Sequence, residues 1–173
     1  MPSWFDILSF DWKSAEDEKG LLESTRKITE LITAEVDAGI PANRVVVGGF
    51  SQGAVISLLT GLTGERKLGG VVALSGWVPL KSKFKSMASD HARSVPVFWG
   101  HGASDPLVPI RLGTASSQFL TTELRLPTAG AESTGAVGLS WNVYQGLEHS
   151  ASDEELRDLR AWVKKALPAE PSA

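Results

Sequence analysis

The sequence predicts one domain of the α/β class, with a mostly parallel sheet flanked by helices. The chain has 173 residues, which suits a single compact domain with one hydrophobic core. Short apolar segments rich in valine alternate along it with longer segments in which apolar residues recur at helical spacing. Such alternation is typical of parallel β-α units. We therefore expect one domain over residues 1–173, without internal repeats.

The first predicted element is a long helix over residues 14–39. Its apolar residues recur every three or four positions, as on the buried face of an amphipathic helix. Ser14 and Asp17 form a Ser-x-x-Asp start signal. Gly39 and Pro41 favour its end, since glycine often follows a helix and proline cannot continue one.

The next elements surround a sharp turn. Residues 44–50 are short, apolar and β-branched, which predicts a strand, and residues 52–62 return to helical spacing. Residues 70–75 and 95–99 predict two further strands. Continuous rather than alternating hydrophobicity in these three strands is typical of a sheet that helices cover on both faces.

The last third of the chain continues the pattern. It predicts a helix over residues 111–120, a strand over residues 141–145 and a final helix over residues 153–167. Ser152, with Glu155 three residues later, forms the start signal of the final helix. The face expected to pack on the sheet carries Leu156, Leu159, Trp162, Val163 and Leu167. Residues 127–140 are small and polar, which predicts a flexible surface loop.

The composition argues against several kinds of function. The chain has 17 basic and 20 acidic side chains, a net charge of −3, and its basic residues are scattered, so nucleic acid is not expected as a partner. It has no cysteine and only three, widely separated histidines, so we expect no metal and no cofactor. Its apolar runs are far shorter than the roughly 20 residues that span a bilayer, so no transmembrane segment is expected. The start lacks the pattern of a secretion signal, which favours a cytoplasmic location, with the nucleus as an alternative.

The strongest chemical signal is the sequence Gly-Phe-Ser-Gln-Gly at residues 49–53. It fits G-x-S-x-G and lies where the strand over residues 44–50 must turn sharply into the next helix. Such a turn exposes the hydroxyl of Ser51 as a nucleophile. The backbone N–H of Gln52 opens the helix and can donate to a developing oxyanion. The same glycines do not fit the dinucleotide-binding pattern G-x-G-x-x-G.

A serine nucleophile needs a histidine base and an acid that orients it. Asp105 and His149 each follow a later predicted strand, in the chain order Ser, Asp, His that this architecture uses. The carboxyl ends of parallel strands meet in one crevice, so the side chains should converge there. His101 is the competing base, although its position favours a structural role in the turn before Asp105. Glu148 and Asp153 are alternatives for the acid.

Several motifs together resemble the acyl-protein thioesterases of the phospholipase/carboxylesterase group. They lie at residues 2–6 (Pro-Ser-Trp-Phe-Asp), 48–53, 74–80 (Leu-Ser-Gly-Trp-Val-Pro-Leu), 101–109 and 146–149. The resemblance implies an α/β-hydrolase that removes palmitoyl groups from protein cysteine thioesters, with carboxylesterase or lysophospholipase side activity. Its substrates would be S-palmitoylated proteins, lysophospholipids or other esters. It assigns the catalytic roles to Ser51, Asp105 and His149, and it places Trp77, Pro79 and Leu80 beside the acyl channel, where core packing is the alternative role.

The resemblance also gives an expectation about the start of the chain. In the family, the motif at residues 2–6 lies inside the chain, after the first strands and a loop that supplies a second oxyanion donor. We therefore expect an incomplete hydrolase fold in which the first strands of the family are missing and the strand over residues 44–50 is an exposed edge. Loss of one oxyanion donor typically lowers turnover about 10²- to 10³-fold, so weak activity is expected. The alternative is an impaired form that binds acyl groups or lipidated peptides without turnover.

Overall fold

The computed structural model describes residues 3–8, 16–129 and 135–169. Within these ranges it contains four strands and five α-helices. The strands are β1 (Val46–Phe50), β2 (Gly70–Leu74), β3 (Val97–Gly102) and β4 (Leu139–Tyr144). The helices are α1 (Glu18–Asp37), α2 (Gln52–Thr63), α3 (Lys81–Met87), α4 (Ile110–Thr122) and α5 (Asp153–Ala166). None of the helices in the described ranges is long and apolar enough to cross a lipid bilayer.

The four strands form one sheet in the order β1-β2-β3-β4, and every neighbouring pair is parallel. All residues of β2 and β3 are buried, in agreement with their continuous hydrophobicity. The predicted α/β fold with a parallel sheet flanked by helices is thus confirmed. Strand β1 differs from β2 and β3, because it lies at the edge of the sheet and none of its residues is fully buried. Both faces of β1 nevertheless pack against a core, through Val47 on one face and Val46 on the other, and the edge position accounts for their partial burial.

The two faces of the sheet are covered unequally. The larger core lies on the face that carries Val71, Val97 and Trp99, where α2 supplies a nearly continuous set of buried residues. On the other face, Trp162 of α5 packs against Phe98, with ring centroids 5.9 Å apart. Residues one apart on a strand point to opposite faces, so Val97 and Phe98 contribute to different cores.

Helix α1 begins later than predicted. Its N-cap is Asp17, whose carboxylate accepts a hydrogen bond of 2.9 Å from the backbone N–H of Gly20. Ser14, the other half of the predicted start signal, lies outside the described residues. Asp17 also accepts a hydrogen bond of 2.9 Å from the backbone N–H of Asp6, so this cap ties the segment at residues 3–8 to the helix.

The final helix has the predicted cap and most of the predicted packing face, since Leu159 and Val163 pack with Trp162 against the sheet. The Ser152 hydroxyl accepts a hydrogen bond of 3.1 Å from the backbone N–H of Glu155, as the start signal predicts. Leu156, expected on the packing face, is 49% exposed, and Glu155 takes the buried position instead. Leu156, in the first turn, is the one residue of the predicted face that lies at the surface, because Glu155 occupies the inward position beside it.

The predicted loop at residues 127–140 is shorter than its stated range. Strand β4 begins at Leu139, and Thr128 forms an isolated parallel bridge with Leu139. The central part of the predicted loop, residues 130–134, lies outside the described residues. Helix α3 was not predicted, and it contains a single buried residue, Phe84.

Candidate active site

The turn between β1 and α2 presents Ser51. Its backbone has φ 56° and ψ −119°, a region that residues with a side chain rarely adopt. A Cβ atom on Gly49 would lie 2.7 Å from the Cα of Gly53, so the strand and helix can approach this closely only because Gly49 is glycine. The backbone N–H of Ser51 donates a 2.8 Å hydrogen bond to the carbonyl of Leu74 on β2, which fixes the turn to the sheet. This is the strand-turn-helix geometry that the G-x-S-x-G motif predicts.

Gln52 is the first residue of α2, so its backbone N–H is among the amides that have no acceptor within the helix. The side chain of Gln52 has a separate function that the sequence did not indicate. Its amide nitrogen donates a hydrogen bond to the carbonyl of Phe5, and its oxygen accepts one from the backbone N–H of Trp4. Both hydrogen bonds are 3.1 Å long. The pair of contacts holds residues 4 and 5 against the turn that carries Ser51.

Asp105 and His149 form a close pair. The His149 Nδ1 lies 2.7 Å from Asp105 Oδ2. The other carboxylate oxygen of Asp105 accepts hydrogen bonds from the backbone N–H groups of Leu107 and Val108, at 2.9 and 2.8 Å. A carboxylate can only accept, so the contact places the ring proton on Nδ1 and leaves Nε2 of His149 free to accept a proton. The Asp105 side chain is fully buried and that of His149 is 13% exposed, so the pair is largely protected from water.

The His149 ring also lies next to the serine turn. Its centroid is 4.6 Å from that of Phe50, the residue directly before Ser51. In the described part of the chain, the Ser51 hydroxyl makes no hydrogen bond, so it is free to turn toward the imidazole. In structures without substrate, such catalytic hydrogen bonds are often long or absent. The three residues predicted to converge are therefore at one end of the sheet, after β1, β3 and β4.

The competing candidates have other positions. His101 is completely buried, and its Nε2 donates a 2.8 Å hydrogen bond to the carbonyl of Val108. Burial is the main cause that lowers the pKa of His101, which keeps the ring neutral. It supports the turn that contains Asp105, as its sequence position favoured. The third histidine, His91, is partly buried.

Among the described residues, neither Glu148 nor Asp153 pairs with His149. No group of three potential metal ligands clusters within the described ranges.

The segment that connects β2 to α3 contains Trp77, Pro79 and Leu80. All three residues are buried. The rings of Trp77 and Phe5 are nearly perpendicular, at a centroid distance of 6.0 Å. Glu16 reaches the same segment, where it accepts from Trp77 Nε1 at 3.3 Å and from the backbone N–H of Leu80 at 2.6 Å. The side chains of this segment belong to the larger core, so they pack the interior and expose little surface. Glu16 has no sequence signal, because its partners are more than sixty residues away.

A parallel sheet with a serine on the turn into the next helix, and an acid-histidine pair at the ends of later strands, is the arrangement of the α/β-hydrolases. The protein is a serine hydrolase of this class.

Comparison with known proteins identifies the family. The profile of the phospholipase/carboxylesterase family matches residues 1–167, and the chain belongs to this family. The acyl-protein thioesterase 1 of Cryptococcus neoformans var. neoformans serotype D is 48% identical over 171 residues, which cover 96% of this chain and 72% of the relative. The acyl-protein thioesterase 1 of Mycosarcoma maydis is 45% identical, with 98% and 71% covered. The crystal structure of Arabidopsis thaliana SOBER1 superposes with a TM-score of 0.83 at 32% identity, covering 95% of this chain and 74% of that one.

Proposed function

We propose that this protein is an acyl-protein thioesterase, which hydrolyses the thioester between a palmitoyl group and a cysteine side chain of another protein. The two fungal relatives with this name, at 48% and 45% identity, support the proposal. Smaller carboxylic esters and lysophospholipids would be secondary substrates, because the same attack on a carbonyl carbon cleaves them.

The observation that carries the proposal is the 2.7 Å contact between His149 and Asp105, next to a serine held at φ 56°. In the proposed reaction, Nε2 of His149 takes the proton of Ser51 while the serine oxygen attacks the thioester carbonyl. The backbone N–H of Gln52 donates to the oxygen that becomes negative. The thiol leaves with the proton from His149, and water then cleaves the acyl-enzyme with His149 again as the base. Asp105 holds the imidazole in the tautomer that this sequence requires.

Trp77, Pro79 and Leu80 would form a wall of the acyl site. They lie directly after β2, at the same end of the sheet as Ser51, and Trp77 contacts Phe5. Phe5 is held by the Gln52 side chain, so this apolar group is linked to the serine turn through one residue.

A fluorophosphonate probe tests the nucleophile. The folded protein should be labelled at Ser51 only, as located by mass spectrometry of the digested protein. The variant Ser51→Ala should lose all labelling, whereas Ser82→Ala, on the exposed face of α3, should keep it. Labelling at another serine, or none in a folded sample, would contradict the assigned site.

Substrate comparison tests the reaction. A peptide carrying S-palmitoyl cysteine should release palmitate, and the same peptide with an N-linked palmitoyl amide should remain intact. Lysophosphatidylcholine and a short p-nitrophenyl ester, assayed alongside, show whether the thioester is preferred. Saturable binding of the palmitoyl peptide without any release would overturn the proposal in favour of a binding protein.

A further inference from the structure

Glu155 is a buried acid that the proposed reaction does not use. Its side chain is completely inaccessible to solvent, and it lies in the first turn of α5. Among the described residues, Asp105 is the only other buried acid. Buried carboxyl groups are rare unless they are paired, because the loss of water is unfavourable. Neither oxygen of Glu155 makes a hydrogen bond within the described part of the chain.

The space for this carboxyl is provided by Gly100 of β3. A Cβ atom on Gly100 would lie 3.0 Å from the carboxyl carbon of Glu155 and 3.2 Å from its Cγ, and closer still to Oε1. The carboxyl group therefore lies directly on the strand backbone, where any other residue at position 100 would displace it. The position of Glu155 depends on the absence of a side chain there.

The loop that carries His149 rests on the same strand. A Cβ atom on Gly102, two residues along the same face of β3, would lie 2.6 Å from the carbonyl oxygen of Glu148. The backbone N–H of Ser104 donates a 3.0 Å hydrogen bond to the carbonyl of Leu147. Glu155 and the His149 loop are thus held side by side on two glycines of one strand.

The loop and the carboxyl are also joined through the cap of α5. Ser152 lies three residues after His149, and its hydroxyl accepts from the backbone N–H of Glu155. The backbone N–H of Ser152 lies near the Glu155 carboxyl and favours its charged form, which lowers its pKa. The two groups do not form a hydrogen bond. Burial has the larger effect and raises the pKa of Glu155 to about 7. A shift of the carboxyl would move Ser152, and with it the short segment that ends at His149.

An apolar side chain would avoid the penalty of a buried, unpaired carboxyl, so stability alone does not account for an acid at this position. We propose that Glu155 is a positioning residue for the hydrolase reaction: its carboxyl, seated on Gly100, fixes the start of α5 and thereby the placement of the His149 ring relative to Ser51. The proposal rests on the proposed function only in taking Ser51 and His149 as the reacting pair. A displacement of reacting groups by about 1 Å typically lowers turnover about 10²-fold, so a small shift of α5 is enough to matter.

The first test compares Glu155→Leu with Glu155→Gln, and uses Glu154→Gln on the adjacent exposed residue as the control. Folded protein, checked by urea denaturation, is assayed for kcat and KM on a short p-nitrophenyl ester and for the rate of fluorophosphonate labelling at Ser51. We expect Glu155→Leu to lower kcat and the labelling rate by about 10- to 100-fold, with KM within about twofold. Glu155→Gln, which keeps the planar shape that lies on Gly100, should stay within about threefold of the wild type. A wild-type kcat in folded Glu155→Leu overturns the proposal.

A second comparison separates positioning from stability, and it decides the question if Glu155→Leu does not fold. Gly100→Ala should lower both stability and kcat, because the new methyl group displaces the carboxyl. In Gly100→Ala/Glu155→Ala the clash is relieved, so stability should recover while kcat stays low. Recovery of kcat together with stability overturns the proposal. Fluorophosphonate labelling of the wild type at Ser51 tests the proposed function by itself. The Glu155 variants are compared only with the labelling rate of the wild type, so the two proposals can fail independently.

Discussion

Replacing Glu155 by glutamine should remove a pH dependence from the stability of the folded protein. Burial raises the pKa of this carboxyl from 4.5 to about 7, and each pKa unit corresponds to about 1.4 kcal/mol. The folded protein therefore binds more protons than the unfolded chain between these values. Stability that is present below about pH 4.5 should be lost as the pH rises to about 7, and the total loss is about 3 kcal/mol. Above that pH this contribution should be constant.

The measurement is urea unfolding of the wild type and Glu155→Gln at pH 4.5 and at pH 8. The free energy of unfolding of the wild type, minus that of the variant, should be about 3 kcal/mol smaller at the higher pH. Subtracting the variant removes the contributions of the other acids. Tyr144 of β4 does not interfere, because burial and its hydrogen bond to Asp158 raise its pKa and keep it neutral. Glu154→Gln, the exposed neighbour, should show no such change. A difference that stays constant across the pH range would refute the burial of Glu155 as described.

Three further outcomes are expected. Asp105→Asn should lower kcat on a p-nitrophenyl ester about 10³- to 10⁴-fold with little change in KM, because the amide no longer fixes the His149 tautomer; a loss below tenfold contradicts this role. Gly49→Ala should lower the free energy of unfolding by about 1–3 kcal/mol in urea and slow fluorophosphonate labelling, whereas Gly135→Ala, where a Cβ meets open space, should change neither. Glu16→Gln should weaken the contacts to Trp77 and Leu80 by about 1 kcal/mol, which raises KM about fivefold for a long-chain acyl ester. An equal rise for a short-chain ester would argue against a role in the acyl site.

The positions of the candidate site residues could be predicted because each is marked by a local pattern. Ser51 is surrounded by glycines where a strand-like segment changes to helical spacing, and Asp105 and His149 each follow an apolar strand. Parallel topology then places the strand ends together, so no knowledge of long-range contacts is needed. The fold class followed from the same alternation of segments.

Other features depend on contacts that a sequence pattern does not contain. Glu155 follows Ser152 at the spacing of a capping box, and this spacing is the same whether the glutamate faces solvent or the sheet. The space that lets it face the sheet comes from Gly100, more than fifty residues away. Helix α3 has seven residues and one buried side chain, too few for a visible period. Strand β1 has the same continuous hydrophobicity as β2, although only β2 is enclosed by neighbours on both sides.

The place of β1 in the sheet has a practical consequence for enzymology. In the described part of the chain, β2 is its only partner, and the outer hydrogen-bonding groups of β1 pair with no strand there. Ser51 follows β1 directly, and a polypeptide that paired there would lie alongside the nucleophile. Pairing of two copies at this edge would make rates measured in concentrated solution report self-association as well as chemistry. Kinetic work on this protein should therefore include a dilution series, with specific activity compared across it.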